Sequence, residues 1–509
     1  MQNTEDTFIP AFYANRSVFI TGGSGFLGKC LIEKLLRSCI DIDKIFLLMR
    51  PKKGLSVNDR LKKILNNKLF DVLRSERPSS FDKIILVSGN VALEGLGLLD
   101  EDKKMLTEHV SIIFHVAASV RFDESLKDAI FNNTRSTRDV CILAKDMKKL
   151  VALVHVSSTY TQTDKPTVDE ILYPSEIDWR QTIKIAESVD DYLLRIFTSK
   201  YLGMMPNTYT FTKRLAEQII SDFSETYKLP CVIIRPSIVI STAEEPVHGW
   251  IDNFNGPIGL LIGGAKGILR VVYIDPLVAS DFIPVDVAIK LTIVTAFKRG
   301  IKTITEDNKI HVYNCSSYNV KPLNMQQLVD LGFRISKKIP LEGIIWTPHS
   351  TLTKNRFLYY LMVLFLHVLP ALFIDTILKL CGTRPILLKL QRKVYVSNSA
   401  LSYFLLNEWK FYNKKLLELF DNLSVENQKE FGYDYRNFNE VDYFRDGVIG
   451  AKLYLLKEDI NHLEAAKLHR KRMDWLSNIT TILFVIFFLL ILYRRNTLSN
   501  VAEIFSFLR

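Results

Sequence analysis

Tyr209 and Lys213 stand four residues apart in the run Tyr209-Thr210-Phe211-Thr212-Lys213. This run opens a segment in which Leu215, Ile219, Ile220 and Phe223 recur with helical spacing. Residues at that separation project from one face of a helix, so a lysine ammonium sits beside a phenol. A phenol is mostly protonated at neutral pH, and a neighbouring cation lowers its pKa, which makes it a better proton donor to a carbonyl oxygen receiving hydride. A tyrosine and lysine so spaced also occur on ordinary surface helices, so the surrounding sequence decides the weight of the pair. A second set of hydroxyls closes the apolar run Val154-His155-Val156-Ser157-Ser158-Thr159-Tyr160. Hydroxyls at the carboxyl end of a strand lie where open α/β sheets bind ligands. Ser158 is expected to donate to the developing oxyanion, with Ser157 as the alternative. His115 and His155 fall inside apolar runs and read as satisfied core histidines outside the chemistry.

Such chemistry needs a hydride source, and the start of the chain offers a place for one. Ser17 to Thr21 is a β-branched and aromatic run that feeds into Gly22-Gly23-Ser24-Gly25-Phe26-Leu27-Gly28, after which Leu27, Leu31, Leu35 and Leu36 follow a helical pattern. The order is strand, glycine turn, helix. Glycines at 22, 25 and 28 permit a tight turn, a close approach of the backbone to a pyrophosphate, and packing of the helix on its strand. Gly23, Gly28 and Lys29 also match the phosphate loop of ATPases, but Cys30 stands where that loop requires a hydroxyl for magnesium. The second strand, Lys44 to Met49, ends in Arg50, followed by Pro51, Lys52 and Lys53. An NAD site would carry an acidic residue there, whereas an arginine accommodates a 2′-phosphate, so NADP(H) is favoured.

Further strands are expected at Lys83 to Ser88, Ser111 to Ala118 and Leu150 to Ser157. Their apolar runs lack polar alternation, as in a parallel sheet covered on both faces, and the predicted fold is a doubly wound α/β sheet of Rossmann type. With 509 residues, 48% hydrophobic and 24% charged, disorder, collagen and small disulfide scaffolds are excluded. The six cysteines form no C-x-x-C pair and no zinc-like cluster with histidine; they read as reduced thiols, and no metal is expected. The basic excess of 11 fits nucleic acid, a membrane surface or an anionic ligand such as a nucleotide.

The polar stretch Met1 to Arg16 has no signal-peptide pattern, so the body is expected in the cytosol, and the sequons at Asn15, Asn132, Asn314, Asn422 and Asn478 are read as chance. Leu476 to Tyr493 is an uncharged run of 18 residues, about 27 Å as a helix, which can span a bilayer. Lys467, Arg470, Lys471 and Arg472 precede it, and Arg494, Arg495 and Arg509 follow, so the heavier basic flank places the body on the cytoplasmic side. A weaker run, Phe357 to Ile374, is interrupted by His367 and Pro370 and is expected as a core or membrane-surface helix, with a span as the minority option.

Taken together, these residues resemble the extended short-chain dehydrogenase/reductase superfamily, and the detail narrows the resemblance to the fatty acyl-CoA reductases. TGGSGFLG, LLMRPKKG, IIFHVAASVRFDE, HVSSTY, YTFTK and IIRPSIV look like that family's signatures in order and at similar spacing. Phe282-Ile283-Pro284-Val285-Asp286 and the run from Pro246 to Asn253 are similar to later family segments. The region from about 355 to 460, with LPALFID, NEWKF and IGAKLYLLKED, looks like the family's helical C-terminal domain.

The resemblance implies a reductase domain over 1–345, a helical domain over 355–460 and a transmembrane helix over 476–493. It implies that Gly22, Gly25, Phe26, Leu27 and Gly28 hold the pyrophosphate, that Arg50 and Lys52 hold the 2′-phosphate, and that Ala117 and Ala118 line the dinucleotide groove. Tyr209, Lys213 and Ser158 are then catalytic, with Lys213 also reaching the ribose. Two positions depart from the family pattern: Asn90 stands where an aspartate near adenine is usual, and Ser136 replaces a glycine after Asn133; both bear on cofactor affinity. The implied reaction reduces a long-chain acyl-CoA to a primary alcohol with two NADPH, through an aldehyde. Membrane lipid is then a partner and nucleic acid is not, in the membrane of the endoplasmic reticulum or the peroxisome. Two rival readings are a membrane-bound extended dehydrogenase or isomerase acting on a sterol or sugar nucleotide, and an inactive NADP-binding scaffold.

Overall fold

A computed structural model describes residues 8–51, 54–301, 310–318, 323–434 and 438–494. Seven strands form the main sheet: β1 (Ser17–Thr21), β2 (Ile45–Met49), β3 (Ile84–Ser88), β4 (Val110–His115), β5 (Ala152–Val156), β6 (Cys231–Pro236) and β7 (His311–Cys315). Their spatial order is β7-β6-β5-β4-β1-β2-β3, and all neighbours run parallel. The chain winds outward from β1 to β3, then crosses back to β4 and winds the other way. The strand order therefore reverses between β1 and β4, the place where open α/β sheets take ligands beyond their carboxyl ends.

Every residue of β1, β2, β4, β5 and β6 is buried. Successive side chains alternate between two cores. Val18, Ile20, Ile112, Phe114 and Val154 pack toward the helices Phe26–Ser38 and Val285–Gly300 through Leu31, Leu35, Ala288 and Leu291. Phe19, Ile113 and Leu153 pack on the other face, against Val140 of Ser136–Lys145 and Leu215 and Ile219 of Thr208–Tyr227. This two-sided burial is why the strands read as unbroken apolar runs. The expected strand over Ser111 to Ala118 stops at His115, because after Val116 donates to Thr21 O (3.3 Å) the chain turns across the end of β1. β6 and β7, which the sequence reading does not single out, complete the far edge. All six cysteines are free thiols; five are buried and Cys381 is exposed.

Beyond the sheet, short parallel pairs tie later segments to the body: Ile238–Ile240 with Phe282–Pro284, Val271–Tyr273 with Thr351–Thr353, and Thr167–Val168 with Lys410–Phe411. The C-terminal region is helical. Arg356–Val363 passes through a π turn, Leu364–Val368, into Leu369–Leu380. The π turn lies directly before Pro370, which donates no backbone hydrogen bond, and the expected helix runs on through it. His367 is buried and accepts from the backbone N–H of Arg270 (3.0 Å). Among the described residues, Arg356–Leu380 and Ile460–Ile491 are long and apolar enough to cross a membrane. The second contains most of the expected span, and its apolar window has no part buried against the body. Below that window Arg470 fastens the helix to the body by donating to Ser336 O (2.6 Å).

Candidate active site

The carboxyl edge of the sheet gathers the predicted groups. Gly22 follows β1 at φ +78°, and a Cβ there would lie 2.6 Å from Ala117 N, so both the turn and the passage of the chain leaving β4 require glycine. A Cβ on Gly28 would collide with Gly22 O, so that glycine lets the helix close on the turn. Gly25 caps the helix Phe26–Ser38 without a side-chain hydrogen bond, and the first turn carries no acidic residue. Its leading N–H groups are thereby left to an anion. Phe26 and Leu27 pack partly into the core below, and Phe26 stacks on Trp250 at 5.4 Å.

Arg50 leaves the end of β2 exposed. Arg60, on the helix Val57–Leu65, donates to Arg50 O and reaches Ser24 Oγ at 3.4 Å. The Arg60 guanidinium thus reaches the rim of the glycine turn next to Arg50, and burial followed by the charge of Arg50 lowers its pKa. The sequence reading missed Arg60, although a basic residue one turn into the helix after β2 was a readable signal. Lys52 lies outside the described residues. Asn90 follows β3, donates its N–H to Leu96 O (2.7 Å) and accepts from Ala92 N (3.2 Å), so its side chain shapes the loop beside the groove. Ala117 and Ala118 follow β4, and Ala117 N donates to Thr21 Oγ1 (3.2 Å). Ser136, fully buried, donates to Asn132 O (2.6 Å) in the π turn that precedes its helix.

The helix Thr208–Tyr227 begins on an Asn207 cap that accepts from Thr210 N (2.9 Å), which sets Tyr209 and Lys213 on the face toward β5. Lys213, 1% exposed, donates from Nζ to Val156 O at the end of β5 (2.5 Å). The Ser158 hydroxyl lies close enough to the Tyr209 phenol to act on its ionisation. Ser158 Oγ also accepts from Tyr160 N (3.2 Å). The choice between the two serines is made by a buried ion pair. Glu217 receives Arg235 through both oxygens (2.8 and 2.7 Å) and takes the Ser157 hydroxyl at 2.6 Å. Ser157 is turned away into that pair, and Ser158 is left facing the phenol. Glu217 itself was legible as the next residue in the four-residue spacing 209, 213, 217.

The electrostatics differ from the expectation for the phenol. Burial pushes the Tyr209 pKa up to about 12, with the Ser158 hydroxyl opposing, and Lys213 does not hold it down. The lysine's charge is directed at the Val156 carbonyl, and enclosure of the phenol outweighs it. Lys213 moves the opposite way: burial lowers it to about 8, and Glu217 opposes.

Two histidines pack beneath. Thr137 Oγ1 donates to Asn133 O (2.7 Å), so His115 Nε2 must donate to Thr137 (3.0 Å) and His115 Nδ1 must accept from Thr21 Oγ1 (2.8 Å). His115 is a satisfied neutral histidine, as expected. His155 is not: its ring packs 5.2 Å from His115, fully buried, and neither nitrogen is bonded among the described residues. Asn133, which carries no local signal of its role, joins the exit of β4 to the catalytic helix. It bonds Ser119 N (2.8 Å), Ser119 O (3.1 Å) and Thr212 Oγ1 (3.0 Å) from the π turn Ile130–Arg135.

The residues fit a dinucleotide: a cradle that excludes side chains, an open helix N-terminus, an arginine at its rim with Arg50 next to it, and a phenol, a serine and a cation beside the next strands. Comparison with known proteins agrees. An NAD-binding family model described as "Male sterility protein" matches residues 20–292, and a second model with the same description matches 366–458. The chain is 36% identical to Fatty acyl-CoA reductase 1 of Homo sapiens and 37% identical to that of Xenopus laevis, in each case over 97% of this chain and 95% of the relative. Its fold is shared with the reductase (R) domain of a nonribosomal peptide synthetase from Mycobacterium tuberculosis, at TM-score 0.58 and 18% identity over 89% of this chain and 96% of that one. It is also shared with the terminal R domain of the myxalamid biosynthetic pathway, at TM-score 0.55 and 17% identity over 86% and 90%.

Proposed function

We propose, starting from the fact that this chain belongs to the fatty acyl-CoA reductase family of oxidoreductases, that it reduces long-chain fatty acyl-CoA to a primary alcohol with NADPH and releases CoA through an aldehyde. Gly22, Gly25, Phe26, Leu27 and Gly28 hold the pyrophosphate, and Arg50, with Lys52 and Arg60, holds the 2′-phosphate. Asn90, Ala117, Ala118 and Lys213 line the rest of the cofactor groove. A bound reduced nicotinamide supplies hydride to the carbonyl carbon of the substrate.

Every other task falls to the chain. Ser158 donates a hydrogen bond to the carbonyl oxygen, and Tyr209, kept neutral by its raised pKa, carries the proton for it. Lys213 keeps a positive charge at this edge of the sheet. In the first reduction the hemithioacetal collapses: the carbon–sulfur bond breaks, CoA leaves as the thiol and an aldehyde remains. In the second, the aldehyde accepts another hydride on carbon and the Tyr209 proton on oxygen, giving the alcohol.

The single observation that carries this reading is that Lys213, four residues after Tyr209 on one helix, is bonded to the end of β5 while the phenol lies close to Ser158, in a sheet whose first strand leads through a glycine turn into an open helix end. The sterol or sugar-nucleotide alternative is disfavoured by the match over residues 366–458 and by relatives that span almost the whole chain. The inactive scaffold is disfavoured by the intact tyrosine, lysine and serine. We divide the chain into a reductase portion over 1–345, a helical portion over 355–460 and a transmembrane helix over 476–493, with the body cytosolic on the membrane of the endoplasmic reticulum or peroxisome. The test is to express the full chain in membranes, supply acyl-CoA of several chain lengths with NADPH or NADH, and identify products by mass. Fatty alcohol and free CoA with NADPH are expected. Aldehyde as the end product would remove the second reduction, and no reduction of any acyl-CoA would refute the reading.

A further inference from the structure

The helices Arg356–Leu380 and Leu387–Leu406 form a hairpin against the body whose outer face is apolar and uncovered. Along the first helix Phe357, Leu361, Leu364, Phe365, Leu372 and Phe373 are all exposed, from 43% at Leu361 to 77% at Phe357. They recur at intervals of three, four, seven and eight, so they make one stripe parallel to the helix axis. On the second helix Leu388, Tyr395, Val396 and Leu401 are exposed as well. The opposite side is fastened to the body: His367 accepts from Arg270 N, Gln391 donates to Ile268 O (3.1 Å), and Asn398 accepts from Tyr273 N (3.0 Å).

The charge along this hairpin is mainly basic. From residue 343 to residue 407 the chain carries Lys354, Arg356, Lys379, Arg384, Lys389, Arg392 and Lys393, and its only acid is Asp375. That acid is 5% exposed and accepts from the N–H groups of Ile386, Leu387 and Leu388 (2.9–3.0 Å), so it caps the second helix and folds the hairpin. Lys354 is paired with Asp275 and the exposed Glu408 follows the second helix, but the hairpin itself joins a broad apolar face to a mainly basic fringe, which is what an anionic lipid surface complements. His367 and Asp375, polar groups within the first helix that are bonded to Arg270 N and to the start of the second helix, oppose its passage through a bilayer and favour lying flat.

We infer that this hairpin is a membrane-surface docking face for anionic phospholipid, distinct from the terminal anchor, and that it brings the reacting centre to the lipid. In the last turn of the second helix the Phe404 ring lies 5.2 Å from Phe122, and Phe122 lies 5.8 Å from the Tyr209 ring. An aromatic path therefore leads from the docked helix to the phenol. Resting on the function proposed above, the long acyl tail enters along it from the bilayer.

The test uses the full chain in nanodiscs of phosphatidylcholine with phosphatidylserine. With Cys381 changed to Ser, the described cysteines that remain are buried, and an environment-sensitive fluorophore is placed on Phe365→Cys or, separately, Phe373→Cys. Spin-labelled lipids then quench from known depths. Both probes should sit about 5–10 Å into the headgroup boundary, on the cytoplasmic leaflet alone. Quenching that shifts from one leaflet toward the other between the two probes would mean a span. Absence of lipid quenching would mean that the C-terminal helix or a second copy covers the face. Either result overturns the inference. The double variant Phe365→Asp with Phe373→Asp should raise the KM for long-chain acyl-CoA by about tenfold while leaving a short, water-soluble acyl-CoA unaffected. Shallow quenching in a chain that reduces no acyl-CoA would leave the docking face standing and remove only the function it rests on.

Discussion

Raising the pH through about 8 should remove the charge of Lys213, and with it most of the turnover, while Tyr209 still holds its proton. Burial lowers the lysine from 10.5 to about 8 and raises the phenol to about 12. At pH 9 a lysine titrating at 10.5 is almost wholly charged, whereas one titrating at about 8 is only about one-tenth charged. If the ammonium is required, kcat/KM falls about tenfold between pH 7 and pH 9. The quantity to follow is kcat/KM, because its pH dependence reports groups of the free enzyme, the state described above. Initial rates of NADPH oxidation with a fatty aldehyde avoid alkaline loss of the thioester. In Lys213→Arg the guanidinium stays charged throughout, so the alkaline fall should disappear whatever rate remains. A fall centred near 10.5, or the same fall in Lys213→Arg, would refute the reasoning. The displacement also has a stability sign. A lysine whose folded pKa is depressed makes its stabilising contribution above the unfolded value, and that contribution is lost as the pH drops through about 8. The charged form therefore costs about 3 kcal/mol, and the stability gap between wild type and Lys213→Met should change by that amount across the window.

Other substitutions test the remaining parts. Tyr209→Phe should lower turnover by about 10² to 10⁴-fold while NADPH binding, read by fluorescence, survives; retained activity would mean the proton comes from another group. Arg50→Asp should shift the NADPH to NADH preference by at least about tenfold, with a smaller shift in Arg60→Ala, and an unchanged ratio would remove the 2′-phosphate assignment. Glu217→Ala strands Arg235, which is 0% exposed, and should destabilise the fold by about 3–5 kcal/mol in denaturation of the detergent-solubilised chain. A near-neutral result there would show that water reaches the pair.

Much of the site was legible because it is local. The glycine turn, the arginine after β2 and the spacing from Tyr209 to Lys213 to Glu217 are each set by a few consecutive residues and by the geometry of one helix or turn. What failed needed neighbours from elsewhere in the chain. Ser157 and Ser158 look equivalent in sequence, yet adjacent strand residues face opposite ways, and the pair of Glu217 with Arg235, 18 residues apart, claims one of them. The phenol's pKa was expected to fall beside a cation, but enclosure raised it. His155 was expected to be satisfied, but the groups packed around it offer no described partner. Phe357 to Ile374 was expected as a core or membrane-surface helix, and the segment is helical, but the π turn before Pro370 was not legible.

The amino-acid sequence by itself determined the parallel α/β sheet, the glycine turn after its first strand, the spacing of the tyrosine and lysine proposed to react, and an apolar terminal helix, because periodicity and short-range spacing fix these. Only the tertiary structure decided which serine meets the phenol, which way each ionisable group is displaced, and that an apolar hairpin whose one acid is buried packs on Phe122, next to Tyr209. Burial and long-range pairing belong to the packed chain, and no window of consecutive residues contains them.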